Sequence, residues 1–373
     1  MQSDVDIKEE EYRKRKRRFL FIWFFFLTIF LSTITYAWFT SNRIVELEFF
    51  DIHVETDGGL EISEDAIDWK AQLLVDDLKN AYKTYPSSLN QIPGEMKPMS
   101  SGGGVDTNGF LNMFYGQADY GTNGNYYLTT YRKIEERTTD ESNHGDFIAF
   151  DVFIKSQMPK TIYLSSDSFV RPKEGDSKGI ENSARIAFIK EGNLPSESNI
   201  TTVQNLKTSS DSNVILWEPN YDVHTATGVN HASNVYGITT YATTAAYNTA
   251  NDSSVTYQPA LAYSGVKAPI AADQADYSTN ATTGVKWGDA TATNYSSLFE
   301  NVTINKLIAS DNDTAASGTH TELMTLKPGV TKLRIYMWIE GQDIDCENNA
   351  SGGTLIFNLG FEVNEPGTTP VTP

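Results

Sequence analysis

Between residues 19 and 39 the chain reads FLFIWFFFLTIFLSTITYAWF, without a charge, directly after the six cations Arg13-Lys14-Arg15-Lys16-Arg17-Arg18. A stretch of about 20 apolar residues, rising 1.5 Å each, crosses a ~30 Å hydrocarbon core, so the pattern predicts a transmembrane helix. Apolar side chains crowd every face and a polybasic run abuts it, which separates it from the amphipathic helix of a soluble core. Only Arg43 stands close on the far flank. Residues 1–18 are therefore predicted to remain cytoplasmic as a basic tail, and residues from 40 onward to be exported.

From residue 44 the period shifts to that of strands. IVELEFFDIHVE at 44–55 is rich in β-branched and aromatic residues and predicts a first strand, turned by Asp57-Gly58-Gly59. Similar runs at 126–131, 147–154, 161–164, 184–189, 213–217, 302–308, 333–339 and 354–363 predict further strands. Their spacing points to a mainly β fold, an antiparallel β-sandwich of jelly-roll-like type. One amphipathic helix is expected among them. Ser63 offers an N-cap, and Ile67, Ala71, Leu74, Leu78 and Ala81 recur at three- and four-residue spacing. Residues 86–109, punctuated by Pro93, Pro98 and Gly102-Gly103-Gly104, read as loop.

The exported domain is expected to span 40–364, with an insertion at about 219–298 where Asn, Thr, Ser, Ala and Tyr replace the periodic pattern. Eight tyrosines there can present a glycan- or ligand-contacting surface, since Tyr joins apolar area to a hydroxyl; an unconstrained loop excursion is the alternative. Residues 365–373 form a Pro/Thr tail expected to be disordered.

Composition narrows the partners. The net charge is -19, and since residues 1–18 carry seven Lys/Arg against five Asp/Glu, the remainder stands at about -21 by subtraction. Such a body repels phosphate backbones, and nucleic acid is excluded as an expected partner. Cys346 is the only cysteine. An intramolecular disulfide and the Cys-rich zinc sites are thereby excluded, and packing alone has to hold the exported domain. That suits a bacterial surface protein better than a small disulfide-stapled secreted domain.

Candidate chemistry is sparse. Glu340, Asp343, Asp345 and Glu347 fall within eight residues after a predicted strand, and alternate carboxylates can fold around a hard cation, which makes calcium the one cofactor suggested. The spacing falls short of an EF-hand, and acidic strand-end loops also arise readily in a chain with 48 Asp and Glu. Neither H-E-x-x-H nor G-x-S-x-G occurs. Of His53, His144, His224, His231 and His320, only His224 and His231 lie near each other, in a segment without helical periodicity, so solvated loop histidines are expected. Neighbouring acids disfavour the thiolate of Cys346, so a buried or inert thiol is expected. No catalytic residue is assigned, and the chain is read as a non-enzyme.

Four phrases bring in a family: Thr35-Tyr36-Ala37-Trp38-Phe39-Thr40, Leu60-Glu61-Ile62-Ser63, Ser183-Ala184-Arg185-Ile186-Ala187-Phe188, and Ile335-Tyr336-Met337-Trp338-Ile339-Glu340-Gly341-Gln342-Asp343 with Cys346 beyond it. Together they resemble the TasA/camelysin-like class of bacterial surface proteins. The resemblance implies signal-peptidase processing, here after Ala37, a jelly-roll-like sandwich, and a role as a matrix or envelope fibre subunit. The chain departs from the class in its length, its Asn/Thr insertion and its aromatic membrane segment. Retention as a signal-anchor therefore stands beside cleavage after Ala37, where Thr35-Tyr36-Ala37 is a loose small-residue site. Cleavage would free strand 44–55 to add to a neighbour's sheet edge, the alternative being that it pairs within its own sheet. The functional expectations, in order, are a non-catalytic surface or matrix structural protein that self-associates, a membrane-anchored glycan- or ligand-binding module, and a secreted metallopeptidase, which the missing histidine pair disfavours.

Overall fold

The computed structural model describes residues 45–54, 59–120, 126–133, 145–165, 167–174, 178–220, 223–231, 265–266, 275–276, 299–300, 307–309, 322–341, 343, 345–346 and 352–363. The predicted membrane segment, Ala37, most of the 219–298 insertion, Glu347 and the 365–373 tail lie outside them. Among the described residues no helix is long and apolar enough to cross a membrane.

The fold is mainly β. The first sheet holds β1 (Val45–Val54), β3 (Gln72–Leu74), β5 (Glu95–Met96), β10 (Lys160–Leu164), β11 (Phe169–Pro172), β18 (Glu322–Leu326) and β20 (Thr354–Glu362). The second holds β2 (Leu60–Ser63), β4 (Asn90–Gln91), β6 (Pro98–Val105), β7 (Leu111–Tyr120), β8 (Tyr126–Lys133), β9 (Ile148–Ser156), β12 (Ala184–Leu194), β13 (Val214–Glu218), β15 (Ala275–Asp276), β17 (Leu307–Ala309) and β19 (Gly329–Glu340). A short pair, β14 (Gly265–Val266) and β16 (Phe299–Glu300), stands apart. The sheets are mixed, which corrects the purely antiparallel expectation: β1 runs parallel to β20, β6 to β19 and β13 to β17.

Alternation builds the core. Ile148, Phe150, Val152 and Ile154 of β9, Ile186 and Phe188 of β12, and Leu333, Ile335, Met337 and Ile339 of β19 share one buried cluster with Ile52, Leu355, Phe357, Leu359 and Phe361 of the first sheet. Phe188 and Phe361 meet edge to face across it, centroids 6.0 Å apart. Each such side chain contributes about 1.5–3 kcal/mol by leaving water, which holds the domain without a disulfide.

Two expectations fail for physical reasons. The helix expected over 63–81 forms only as α1 (Val75–Asn80). Ser63 does accept the N–H groups of Asp65 and Ala66, but Asp65 then takes those of Ile67 and Asp68 at 2.8 and 3.2 Å. Those side-chain bonds offer the backbone an alternative to the helical ladder. Lys70 and β3 are then drawn into pairing with Ile62 and β1. Residues 86–109, expected as loop, contain β4, β5 and β6. Gly103, at φ +72, lies where the β6–β7 register slips, so the glycines bulge a strand instead of ending it.

At the corner between β18 and β19 the chain passes from one sheet to the other, and Gly329 takes φ +113 with a would-be Cβ 2.1 Å from the carbonyl oxygen of Leu194. Gly329→Ala is expected to lower stability by at least about 2 kcal/mol, because strain and a backbone clash add. Denaturant melts of the two proteins measure it; equal midpoints would show that the corner relaxes freely.

Candidate functional site

The outer face of the second sheet carries the unexpected chemistry. Along β19 the outward positions Lys332, Arg334, Tyr336, Trp338 and Glu340 are all buried. Tyr336 and Trp338 pack in an apolar centre with Phe147, Ala149, Ala187 and Ile189. A cluster of charges sits at each end of it.

At the first end Arg334 lies directly opposite Asp151 of β9 in the ladder. Its Nε donates to Asp151 Oδ1 at 2.7 Å and a terminal nitrogen to Oδ2 at 3.2 Å, a bidentate pair. Its other terminal nitrogen reaches Glu191 of β12 and the carbonyl of Gly109, each at 3.2 Å. Lys332 donates to the Tyr85 hydroxyl at 2.9 Å and to the carbonyls of Gln204 and Leu206 at 2.9 and 3.0 Å, which satisfies all three of its donors. Gln204 ends α2 (Ile200–Gln204).

Burial would raise the Asp151 carboxyl, but the charges of Arg334 and Lys332 outweigh it and hold the group at about 2. Glu191 goes the other way: burial pushes it to about 7 against the pull of Arg334. Over these cations opens a cavity of about 540 Å³, walled by Tyr85, Ser87, Asn108, Phe110 and residues 204–207.

At the second end Arg185 of β12 is fully buried and pairs with Glu218 of β13, at 2.7 Å, and with Asp343. Asp345 accepts the N–H and hydroxyl of Thr225 at 2.9 and 2.8 Å, and lies 2.9 Å from Nδ1 of His224, just before α3 (Ala226–His231). Glu340 accepts from the Trp338 indole at 3.0 Å and from Ser100. Burial pushes Glu218 to about 7 despite Arg185, and raises Asp343 as well. Burial lowers His224, but the hydrogen bond and charge of Asp345 outweigh it and leave the imidazole raised.

Three of the four expected calcium ligands are described, and each faces a different protein group: Glu340 faces Ser100 and Trp338, Asp343 faces Arg185, and Asp345 faces Thr225 and His224. Among the described residues no group of three or more His, Cys, Asp and Glu side chains is placed to hold a metal ion; Glu347 lies outside them. His224 is buried and paired, which corrects the solvated loop histidine expected there. Cys346 is a buried thiol, as expected. His53 contacts Asp167 at 3.2 Å, and the Ser165 hydroxyl donates to that same carboxylate. Asp167 therefore stands where a nucleophilic triad requires the histidine, and no serine-to-imidazole relay forms.

Asp151, Arg185, Glu191, Glu218, Lys332 and Arg334 belong to no chemistry-bearing sequence motif. For Asp151, Lys332 and Arg334 a signal is present, however: charges set among the apolar residues of IAFDVFIK and TKLRIYMWIE, strands apolar on both faces, require buried partners on neighbouring strands. Two of the phrases behind the family resemblance, 183–188 and 335–343, lie on or next to adjacent strands and are tied by the Arg185–Asp343 pair. No protein-family model, curated protein or solved structure matches the chain.

Proposed function

We propose that this is a non-catalytic bacterial cell-surface protein, a structural subunit of the envelope or matrix, exported behind residues 19–39 and folded outside as a jelly-roll-like sandwich. The observation that carries the reading is the place of β1. It begins at Val45, shortly after the membrane segment, and lies inside the first sheet with β20 on one side and β3 and β5 on the other. Tension on the anchor therefore loads a parallel ladder running from Glu46–Thr354 to Val54–Phe361, along the strands, so that many hydrogen bonds share it. That geometry suits a tethered or assembled structural protein. Donation of β1 to a neighbour would first have to break its ladders with β20, β3 and β5, so self-association is assigned to surfaces other than β1.

Protease added to intact cells is expected to digest the β-rich body, with N-terminal sequencing showing either Met1 in the membrane fraction or a new terminus at Trp38. Full protection of the body in intact cells would sink the reading. Size-exclusion of the recovered form then reports whether it assembles.

A further inference from the structure

We propose that the cavity over Lys332 and Arg334 binds a carboxylated sugar of the uronic acid class. Its volume, about 540 Å³, falls among small-molecule sites, which run from about 300 to 1,000 Å³. In a chain of net charge -19 the cavity gathers three cations, Lys207, Lys332 and Arg334, while among the described residues no Asp or Glu lines it.

The cations have different tasks. Lys332 is spent on Tyr85 and the carbonyls of Gln204 and Leu206, and Arg334 on Asp151 and the carbonyl of Gly109, so these two hold the walls in place. Lys207 is exposed at the mouth, its ammonium 3.4 Å from Asn108 Oδ1, with donors left for a ligand carboxylate. Asn108 and Asn205 line the same rim, residues whose amides suit paired hydroxyls, and the Phe110 ring, backed by the Arg334 guanidinium at 4.7 Å from its centroid, offers an apolar surface to a sugar ring. A bare anion would leave the amides and the ring unused, and a hydrocarbon would desolvate the amides without replacing their hydrogen bonds. Walls fixed by buried ion pairs reduce the ordering cost of binding.

The test is calorimetric titration of the full chain, in a detergent without a sugar headgroup, with D-glucuronate, and with D-glucose and acetate as controls. Saturable glucuronate binding, at least about tenfold tighter than either control, is expected. Lys207→Glu and Asn205→Asp, both at exposed positions, are each expected to weaken it at least about tenfold with the melting temperature unchanged. Absence of saturable binding overturns the proposal. Acetate binding as tightly as glucuronate reduces the site to a plain anion pocket and overturns it too, as does wild-type affinity in both variants. The surface-display reading does not depend on this site and survives any of these outcomes.

Discussion

The melting temperature of the β-rich body is expected to peak between about pH 4 and 5.5 and to fall as pH rises through 7. Glu191 and Glu218 hold their protons to about 7 in the folded chain, against about 4.3 in an unfolded one. Between those values the folded state binds more protons, so each group's contribution is complete below the unfolded value and is lost as pH rises through 7. At about 1.4 kcal/mol per unit, each loses about 3 kcal/mol of its contribution between pH 5 and pH 8. His224, also raised by Asp345, has the same sign: its contribution is full below its unfolded value and is lost as pH rises. Asp151 has the opposite sign. Held at about 2, it stabilises above its unfolded value near 3.9 and loses that contribution as pH falls toward 2, which sets the acid limb.

The two glutamates sit at opposite ends of the sheet's outer face, so their effects add. For a domain of this size about 6 kcal/mol corresponds to more than 10 °C, roughly, between pH 5 and pH 8. Glu191→Gln with Glu218→Gln, which fixes both groups in an uncharged form, is expected to flatten the neutral limb. A wild-type maximum at about pH 7 to 8 would show that both carboxylates ionise freely in the folded chain.

The same residues explain what was legible from the chain and what was not. The long strands announced themselves, since 147–154 and 333–339 are apolar enough to be recognised whatever they touch, and they became β9 and β19. Their partners were not recoverable, because pairing β1 in parallel with β20 joins residues about three hundred positions apart and no local pattern encodes it. The helix failed for a local reason with a tertiary sequel: the periodicity of 63–81 was real, but Asp65 trapped the first turn and β1 claimed the next segment. The acidic run 340–347 was visible as carboxylates, whereas its cationic and hydroxyl partners, Arg185, Thr225 and His224, lie more than a hundred residues earlier. Glu340, Asp343 and Asp345 therefore read along the chain as one ligand set, whereas in the fold each faces its own protein partner.

Asp151→Asn is expected to be among the most damaging single changes in the domain, costing about 3–5 kcal/mol, because it leaves two buried cations, Arg334 and Lys332, with Glu191, which holds its proton to about 7, as their remaining carboxylate. Neither cation has an easy remedy. A guanidinium does not deprotonate, and the ammonium, though lowered by burial, is fixed by three hydrogen bonds that its charge strengthens. Arg185→Met at the other end makes the informative contrast. It strands Glu218 and Asp343, but carboxylates escape burial by taking up protons, so its cost is expected to be small at about pH 5 and to grow toward pH 8. Denaturant melts of both variants at the two pH values decide the matter. Asp151→Asn should be severe at both, and Arg185→Met severe only at the higher. Equal pH dependence in the two would mean that the clusters are stabilised by shape and packing, with their charges contributing little.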